Sequence, residues 1–342
     1  MYKVTIAIPV YNVEKYMKRA LLSALNQTFE SIEFLLIDDR GSDNSMAIAM
    51  EVAKNHPRGN DVRVIDHGVN IGLGAVRNTA IENAKGEYLY FLDSDDDITP
   101  DCISILYNRM MEYPVDFVAA SHNIIASNGL LKEQKLYEDS IVRKGDFAVA
   151  NAYYKGTILL TTYTVNKLYN LKFLRNNNIR CIHLMYEDIF FTYNLILHAQ
   201  SCQIVSDATY NYYEHATSIM AKTRKSFSSE RAKQFNDIIS LKKEYSHKYI
   251  NYNFYPNLIR RIYIRYALPF SIKIYYSNLI EAKEANAGIT NILRYPLNFK
   301  KMIALKRGSH WIFYFLDKIP FLYAKIFACR LFLRFTPNKL KQ

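Results

Sequence analysis

The sequence predicts an α/β protein, a mostly parallel sheet flanked by helices, followed by a basic helical region. Three observations carry this. Apolar runs alternate with segments of helical spacing through the front of the chain, aspartates collect where two of those runs end, and the charge balance reverses after Met220. Strands alternating with helices form βαβ units, whose parallel sheet is covered on both faces.

The elements follow in order. VTIAIPV (4–10) is a strand, and Glu14 to Asn26 is a helix with apolar positions at Met17, Leu21, Leu22 and Leu25. FLLIDD (34–39) is the second strand, and a helix opens near Asp43 or Ser45. VRVID (62–66) is the third strand, and GLGAVRNTAIENAKG (72–86) a helix closed by Gly86, a residue suited to the position just past a helix end. EYLYFLD (87–93) is the fourth strand. From about 115 to 220 the pattern loosens: DFVAAS (116–121) reads as a strand, KGDFAVANAYY (144–154) as a helix, TYTVNKLYN as strand or loop, and EDIFFTYNLILHA (187–199) as a helix. After 225 the chain is helical, beginning with SSERAKQFNDIISLKKEYSHKYI (228–250).

At 342 residues, half of them hydrophobic and with 28 Tyr and 19 Phe, the chain is a folded protein of one large domain or two ordinary ones. Cys102, Cys181, Cys202 and Cys329 are scattered without CxxC spacing, so they read as reduced, buried thiols of a cytosolic protein and as neither a disulfide framework nor a zinc set. MYKVTIAIPVYN reads as the first strand beginning at once, so no secretory signal is expected. The most apolar stretch, WIFYFLDKIPFLYAKIFACRLFLRF, is broken by Asp317, Lys318, Pro320, Lys325 and Arg330, too often for a bilayer core.

Open α/β sheets bind ligands beyond the carboxyl ends of their strands. There lie Asp38 and Asp39, and the run FLDSDDDI (91–98) with Asp93, Asp95, Asp96 and Asp97. An acidic turn is ordinary by itself; a divalent cation held by carboxylates and substrate phosphates is the sharper reading. Gly72-Leu73-Gly74 approaches a dinucleotide fingerprint, but Arg77 replaces its third glycine and the strand is the third, not the first.

Six blocks decide between these readings. IPVYN (8–12), LLIDDRGSDNS (35–45), NIGLGAVRN (70–78), FLDSDDD (91–97), VNKLY (165–169) and YEDIFF (186–191) together resemble glycosyltransferase family 2 of the bacterial surface-polysaccharide type. The resemblance implies an inverting enzyme with the GT-A nucleotide-diphospho-sugar transferase fold over residues 1–220. It gives the nucleobase side to Pro9, Tyr11 and Asp39, the neighbourhood of the ribose to Asp93 and Ser94, and a Mn²⁺ or Mg²⁺ ion to Asp95. Arg77 would lend charge near the diphosphate or pair with the acidic strand end, Asp188 would be the catalytic base, and Glu187 its orienting neighbour or an acceptor contact. Asp96 and Asp97 are expected to form the turn and cap the next helix; Arg40 stands where this pattern commonly has Gly. NKLY (166–169) is expected to line or support the acceptor side, and His215 to touch the diphosphate or a sugar, or to serve the structure; His67 and His183 receive no role. The donor is expected to be a UDP-sugar and the acceptor a glycan or lipid-linked glycan hydroxyl; the rival reading is a non-catalytic sugar- or nucleotide-binding homologue in a membrane complex, against which Asp95 and Asp188 argue.

Residues after Met220 hold 24 Lys and Arg against 6 Asp and Glu, whereas the chain up to that point holds 20 against 26. In region 221–342 the cations interleave with Tyr, Phe, Ile and Leu, as in helices that lie on anionic membranes. A packed helical subdomain with a solvated basic face is the alternative, and no nucleic-acid module is recognisable. The expected location is therefore cytoplasmic, peripheral on the inner face of the cytoplasmic membrane.

Overall fold

The structure, a computed structural model, describes residues 2–183, 186–215, 228–277, 281–297, 299 and 308–336. The chain divides into two compact units, Met1–His183 with Glu187–Ser218, and Leu184–Tyr186 with Ile219–Gln342.

The first unit begins as a repeating β-α pattern: β1 (Val4–Val10), α1 (Glu14–Leu25), β2 (Ile32–Asp38), α2 (Ser45–Lys54), β3 (Val62–Asp66), α3 (Leu73–Asn83) and β4 (Tyr88–Phe91). β5 (Asp97–Ile98), α4 (Cys102–Glu112), β6 (Phe117–Ile125), β7 (Leu131–Lys135), β8 (Ser140–Val142) and α5 (Ala148–Lys155) follow. β9 (Lys167–Asn170), α6 (Leu171–Asn176), α7 (Glu187–His198) and β10 (Cys202–Tyr213) complete the unit. One sheet runs β3-β2-β1-β4-β9-β6-β10-β5, with β7 paired to β6 and β8 to β10. The four strands from β3 to β4 are parallel, β9 is antiparallel to both neighbours, and β6 and β10 are parallel again.

Chain order reverses where β1 lies between β2 and β4, so the carboxyl ends of β1, β2 and β4 frame a crevice. Pro9, which lacks a ladder donor, is tolerated in central β1 because β4 ends its pairing at Ala7↔Phe91 and only Ile37 of β2 faces the proline. Ile6, Ile8, Phe34, Leu36 and Leu89 are fully buried in this sheet.

Two expectations need correction. The helix expected to close at Gly86 ends at Asn83. Gly86 instead allows the backbone to pass close: an added Cβ would meet Thr5 N at 2.6 Å and Val4 C at 2.7 Å. Strand β10, which the sequence reading missed, lies next to the end of the sheet, between β6 and the short β5; its pattern is interrupted by exposed Ser206 and Asp207, where the pairing with β6 shifts register.

The second unit is helical: α8 (Ser229–Ser246), α9 (Tyr255–Ile262), a π-helical turn (Tyr263–Ala267), α10 (Leu268–Tyr276), α11 (Ala282–Leu293), α12 (Gly308–Lys318) and α13 (Leu322–Phe335). It has its own core, including Ile238, Leu258, Ile259, Ile262, Ile289, Leu293, Phe313 and Ile326. The carbonyls ending α11 are satisfied by buried side chains: Lys243 Nζ donates to Ile292 O and Arg294 O, and Tyr263 Oη to Leu293 O and Arg294 O. Burial pushes the Lys243 ammonium down to about 7. No helix among the described residues is long and apolar enough to cross a membrane. The expected boundary at 220–221, the end of YYEHATSIM and most of LNFKKMIALKRG lie outside the described residues.

Candidate active site

The site is organised by α3. Gly72 opens it with φ 88°, which a side chain would strain. Two residues on, Gly74 lets the helix approach the segment before α7: a Cβ there would meet Ile182 O at 2.6 Å. Asn78, a turn further along the same face, clamps Cys181 by donating from Nδ2 to its carbonyl (2.9 Å) and accepting from its N–H (2.8 Å). The glycine-rich block thus docks a helix against the start of α7.

Arg77 sits within that contact, 2% exposed. One Nη donates to Glu187 Oε1 and Asp188 Oδ1, both at 2.6 Å, and the other to Asp93 Oδ1 at 2.9 Å. A single guanidinium thereby joins the end of β4 to the start of α7. Burial opposes its charge, but Asp188, Asp93 and Glu187 more than offset that and hold it well above the ordinary arginine range. Two of the carboxylates around this cation, Glu187 and Asp93, hold their protons more tightly than usual. Burial, reinforced by Asp188 and opposed by Arg77, raises the Glu187 carboxyl to about 7. Asp93 is raised to about 6 by burial against the pull of Arg77. Of the two roles the sequence allowed Arg77, the structure shows the pairing with the acidic strand end.

Asp188 has two partners on one oxygen. Besides Arg77, Thr164 donates its hydroxyl to Oδ1 at 2.8 Å, and Oδ2 accepts no hydrogen bond among the described residues. Thr164 is fully buried, and the NKLY block holds its turn. Tyr169 Oη donates to Thr164 O (2.7 Å), Lys167 Nζ to Tyr163 O (2.5 Å), and Asn166 Nδ2 to Ala120 O and Ser121 O. Burial pushes Lys167 down to about 7. The structure thus gives NKLY a supporting place, and Thr164 is a residue that the sequence reading missed.

The acidic loop after β4 separates by role. Asp96 is buried and accepts from Tyr210 Oη (2.7 Å) and Tyr213 N (2.9 Å); Asp97 accepts from Asn211 Nδ2 (2.7 Å). Both fasten the loop to β10, and Asp101 holds the position before α4, which corrects the expectation that Asp96 and Asp97 cap that helix. Ser94 is buried. The Asp95 carboxylate accepts from no other side chain among the described residues; burial raises its pKa, opposed by His215 and Arg19. Around it, Arg19 and His215 Nε2 reach the Asp95 carbonyl, and the His215 ring stacks on Tyr16 at 4.3 Å.

Asp95 alone fits the role of one carboxylate completing a hard-cation shell with substrate phosphates. The described residues contain no cluster of three or more acidic, His or Cys side chains that would hold an ion without substrate.

At the crevice's other edge, exposed Tyr11 follows directly after β1 and Pro9, within the strand, is half-buried. Asp39 is buried with both oxygens engaged: His67 Nδ1 (2.9 Å) and Ile71 N (3.0 Å) on Oδ1, Asn70 Nδ2 (2.8 Å) and Gly72 N (3.0 Å) on Oδ2. It therefore organises the 67–72 segment, and His67 relays that order to Thr79 Oγ1 at 2.9 Å. Arg40 adopts φ 56°, the conformation that favours the commoner glycine, and pairs with Asp66.

The chain has known relatives. The family model described as Glycosyl transferase family 2 matches residues 5–176, half of the chain. The chain belongs to glycosyl transferase family 2. It is 33% identical over 216 residues to the poly(ribitol-phosphate) beta-glucosyltransferase of Bacillus spizizenii, covering 62% of this chain and 32% of that one. Among solved structures, S. aureus TarS 1-349 in complex with UDP-GlcNAc has the same fold, with a TM-score of 0.70 and 20% identity over 97% of this chain and 90% of that one. The mannosyltransferase PcManGT from Pyrobaculum calidifontis, in complex with GDP-Man and Mn²⁺, matches at a TM-score of 0.52 and 14% identity, over 98% and 88% of the two chains. The family 2 chain spans less than two thirds of the length of the first curated relatives it matches.

Proposed function

We propose that the chain is a metal-dependent, inverting glycosyltransferase that moves a sugar from a nucleotide donor, a UDP-sugar, to a hydroxyl of a glycan or lipid-linked glycan in bacterial surface-polysaccharide synthesis. The observation that carries this reading is the Arg77 bridge, which joins Asp93 of the donor-side loop to Asp188.

Asp188 is the base. With Oδ1 held by Arg77 and Thr164, Oδ2 takes the acceptor proton. The acceptor oxygen then bonds the anomeric carbon as the bond to the diphosphate breaks, and the electron pair leaves with the nucleotide. Mn²⁺ or Mg²⁺, held by Asp95 and the donor phosphates, would stabilise the leaving charge. Tyr11 and Pro9 form the nucleobase side. Asp39 serves there by shaping the rim, or by exchanging its loop partners for the base. Asp93 and Ser94 adjoin the ribose, and Glu187 shares Arg77 with the base. In this reading residues 1–220 form the catalytic part, 221–342 face the membrane, and the protein works at the inner face of the cytoplasmic membrane; the excess of Lys and Arg after Met220 supports this.

A thermal-shift and donor-hydrolysis screen of nucleotide sugars, with Mn²⁺, Mg²⁺ or EDTA, tests the reading. A UDP-sugar is expected to raise the melting temperature only with metal, since a ligand that prefers the native state stabilises it. Asp95→Ala should lose this response. If no nucleotide sugar stabilises the protein under any condition, the non-catalytic reading replaces this one.

A further inference from the structure

The second unit carries a cleft of about 410 Å³ lined by Ile264, Pro269, Ile272 and Leu333 together with Arg265, Arg330 and Arg334. No carboxylate lines it among the described residues. Ile264 and Arg265 belong to the π-helical turn, a device that recurs at functional sites. Arg330 is held at the edge by Tyr276, whose Oη accepts from its Nη1 at 2.9 Å and whose ring lies 5.4 Å from the guanidinium. Arg334, one turn along α13, is exposed and makes no ion pair among the described residues.

Beside those arginines the same helix exposes an apolar row at four-residue spacing: Tyr323 (68%), Phe327 (57%), Leu331 (47%) and Phe335 (76%). Residues four apart share a helix face. Single exposed apolar residues are ordinary, but a continuous row bordered by cations is not.

We propose that α13 docks on an anionic phospholipid surface, with the aromatic row entering the interface and the arginine-lined cleft taking a lipid phosphate. The proposal rests on the membrane-facing reading of region 221–342 and specifies its contact face and headgroup chemistry. Charge complementarity selects the occupant: the guanidiniums of Arg330 and Arg334 suit a phosphate, and the apolar lining suits the start of an acyl chain. An amphipathic helix with aromatics on one side and cations beside them binds in this manner.

Flotation of the full chain with phosphatidylcholine vesicles, with and without phosphatidylglycerol, tests the proposal. The parent should float only with phosphatidylglycerol, and less at high salt. Arg330→Gln with Arg334→Gln should weaken partitioning roughly 25-fold, about fivefold per arginine. Phe327→Ser with Phe335→Ser should also weaken it, although both residues are exposed and the fold is retained. The proposal is overturned if the parent ignores phosphatidylglycerol, if either double variant floats like the parent, or if glycerol phosphate raises the melting temperature while the vesicles do not bind. Donor hydrolysis in solution, measured on the same variants, should be unchanged. Its absence in the parent would count against the transferase reading, not against docking.

Discussion

At the scale of single residues, the site depends on one buried cation and the groups it holds. Replacing Arg77 with Met leaves Asp93, Glu187 and Asp188 around an uncompensated cavity, and breaking a buried ion pair in this way costs about 3–5 kcal/mol. Chemical denaturation should show that loss. Thr164 offers a finer test, because Thr164→Val preserves shape and removes only the hydroxyl that meets Asp188. A hydrogen bond to a charged group is worth about 1.5–3 kcal/mol. Transfer should therefore fall roughly tenfold or more, with donor affinity kept and the acidic limb of the pH–rate profile moved upward. Thr164→Ser should restore both. A purely structural role for Thr164 would leave the profile in place. Asp95 and Asp188 stood out in the sequence because acidic blocks in a fixed order mark them. Thr164 did not, since a buried threonine carries no pattern of its own and only the NKLY turn delivers it.

At the scale of elements, the front strands were readable because continuous apolar runs bounded by polar turns leave little ambiguity. β1 occupies 4–10 and β3 occupies 62–66, as the patterns suggest. β10 was not readable: Ser206 and Asp207 interrupt it where its register with β6 shifts, and a bulge hides a strand's alternation. Gly86 misled for a related reason. A glycine after a helix suggests a cap, whereas this one serves a close passage of backbone that only the folded sheet creates. Gly86→Ala should thus cost about 1–3 kcal/mol, the range of an overpacked core, through contact with Thr5 and Val4. An αL cap would also resist alanine, but α3 has already ended at Asn83. The two cases differ in hydrogen exchange: the present structure predicts that the mutation loosens β1 and β4 while leaving the last turn of α3 protected.

At the scale of the whole molecule, the charge division seen in the sequence corresponds to different chemistry in the two units. The first unit gathers carboxylates at a sheet edge, and the second displays arginines and aromatics on helices. The carboxylates also make stability depend on pH. Glu187 titrates near 7 when folded, against 4.5 as its ordinary value, so the folded state retains a proton that the unfolded chain releases across this window. Its stabilising contribution is complete below about 4.5 and lost as the pH rises through about 7. Melting temperatures of the parent and of Glu187→Gln, compared from pH 5 to 7, should accordingly diverge, with the parent losing ground to the variant as the pH rises.

The central claim is the division of labour between Asp95 on the donor side and Asp188 on the acceptor side. The most direct measurement is sugar transfer and donor binding by Asp188→Asn beside the parent enzyme, with Mn²⁺ present. Unchanged donor affinity with transfer reduced by about 10²–10⁴-fold, the usual contribution of a general base, is the predicted result. Transfer by Asp188→Asn at the parent's rate would contradict the account.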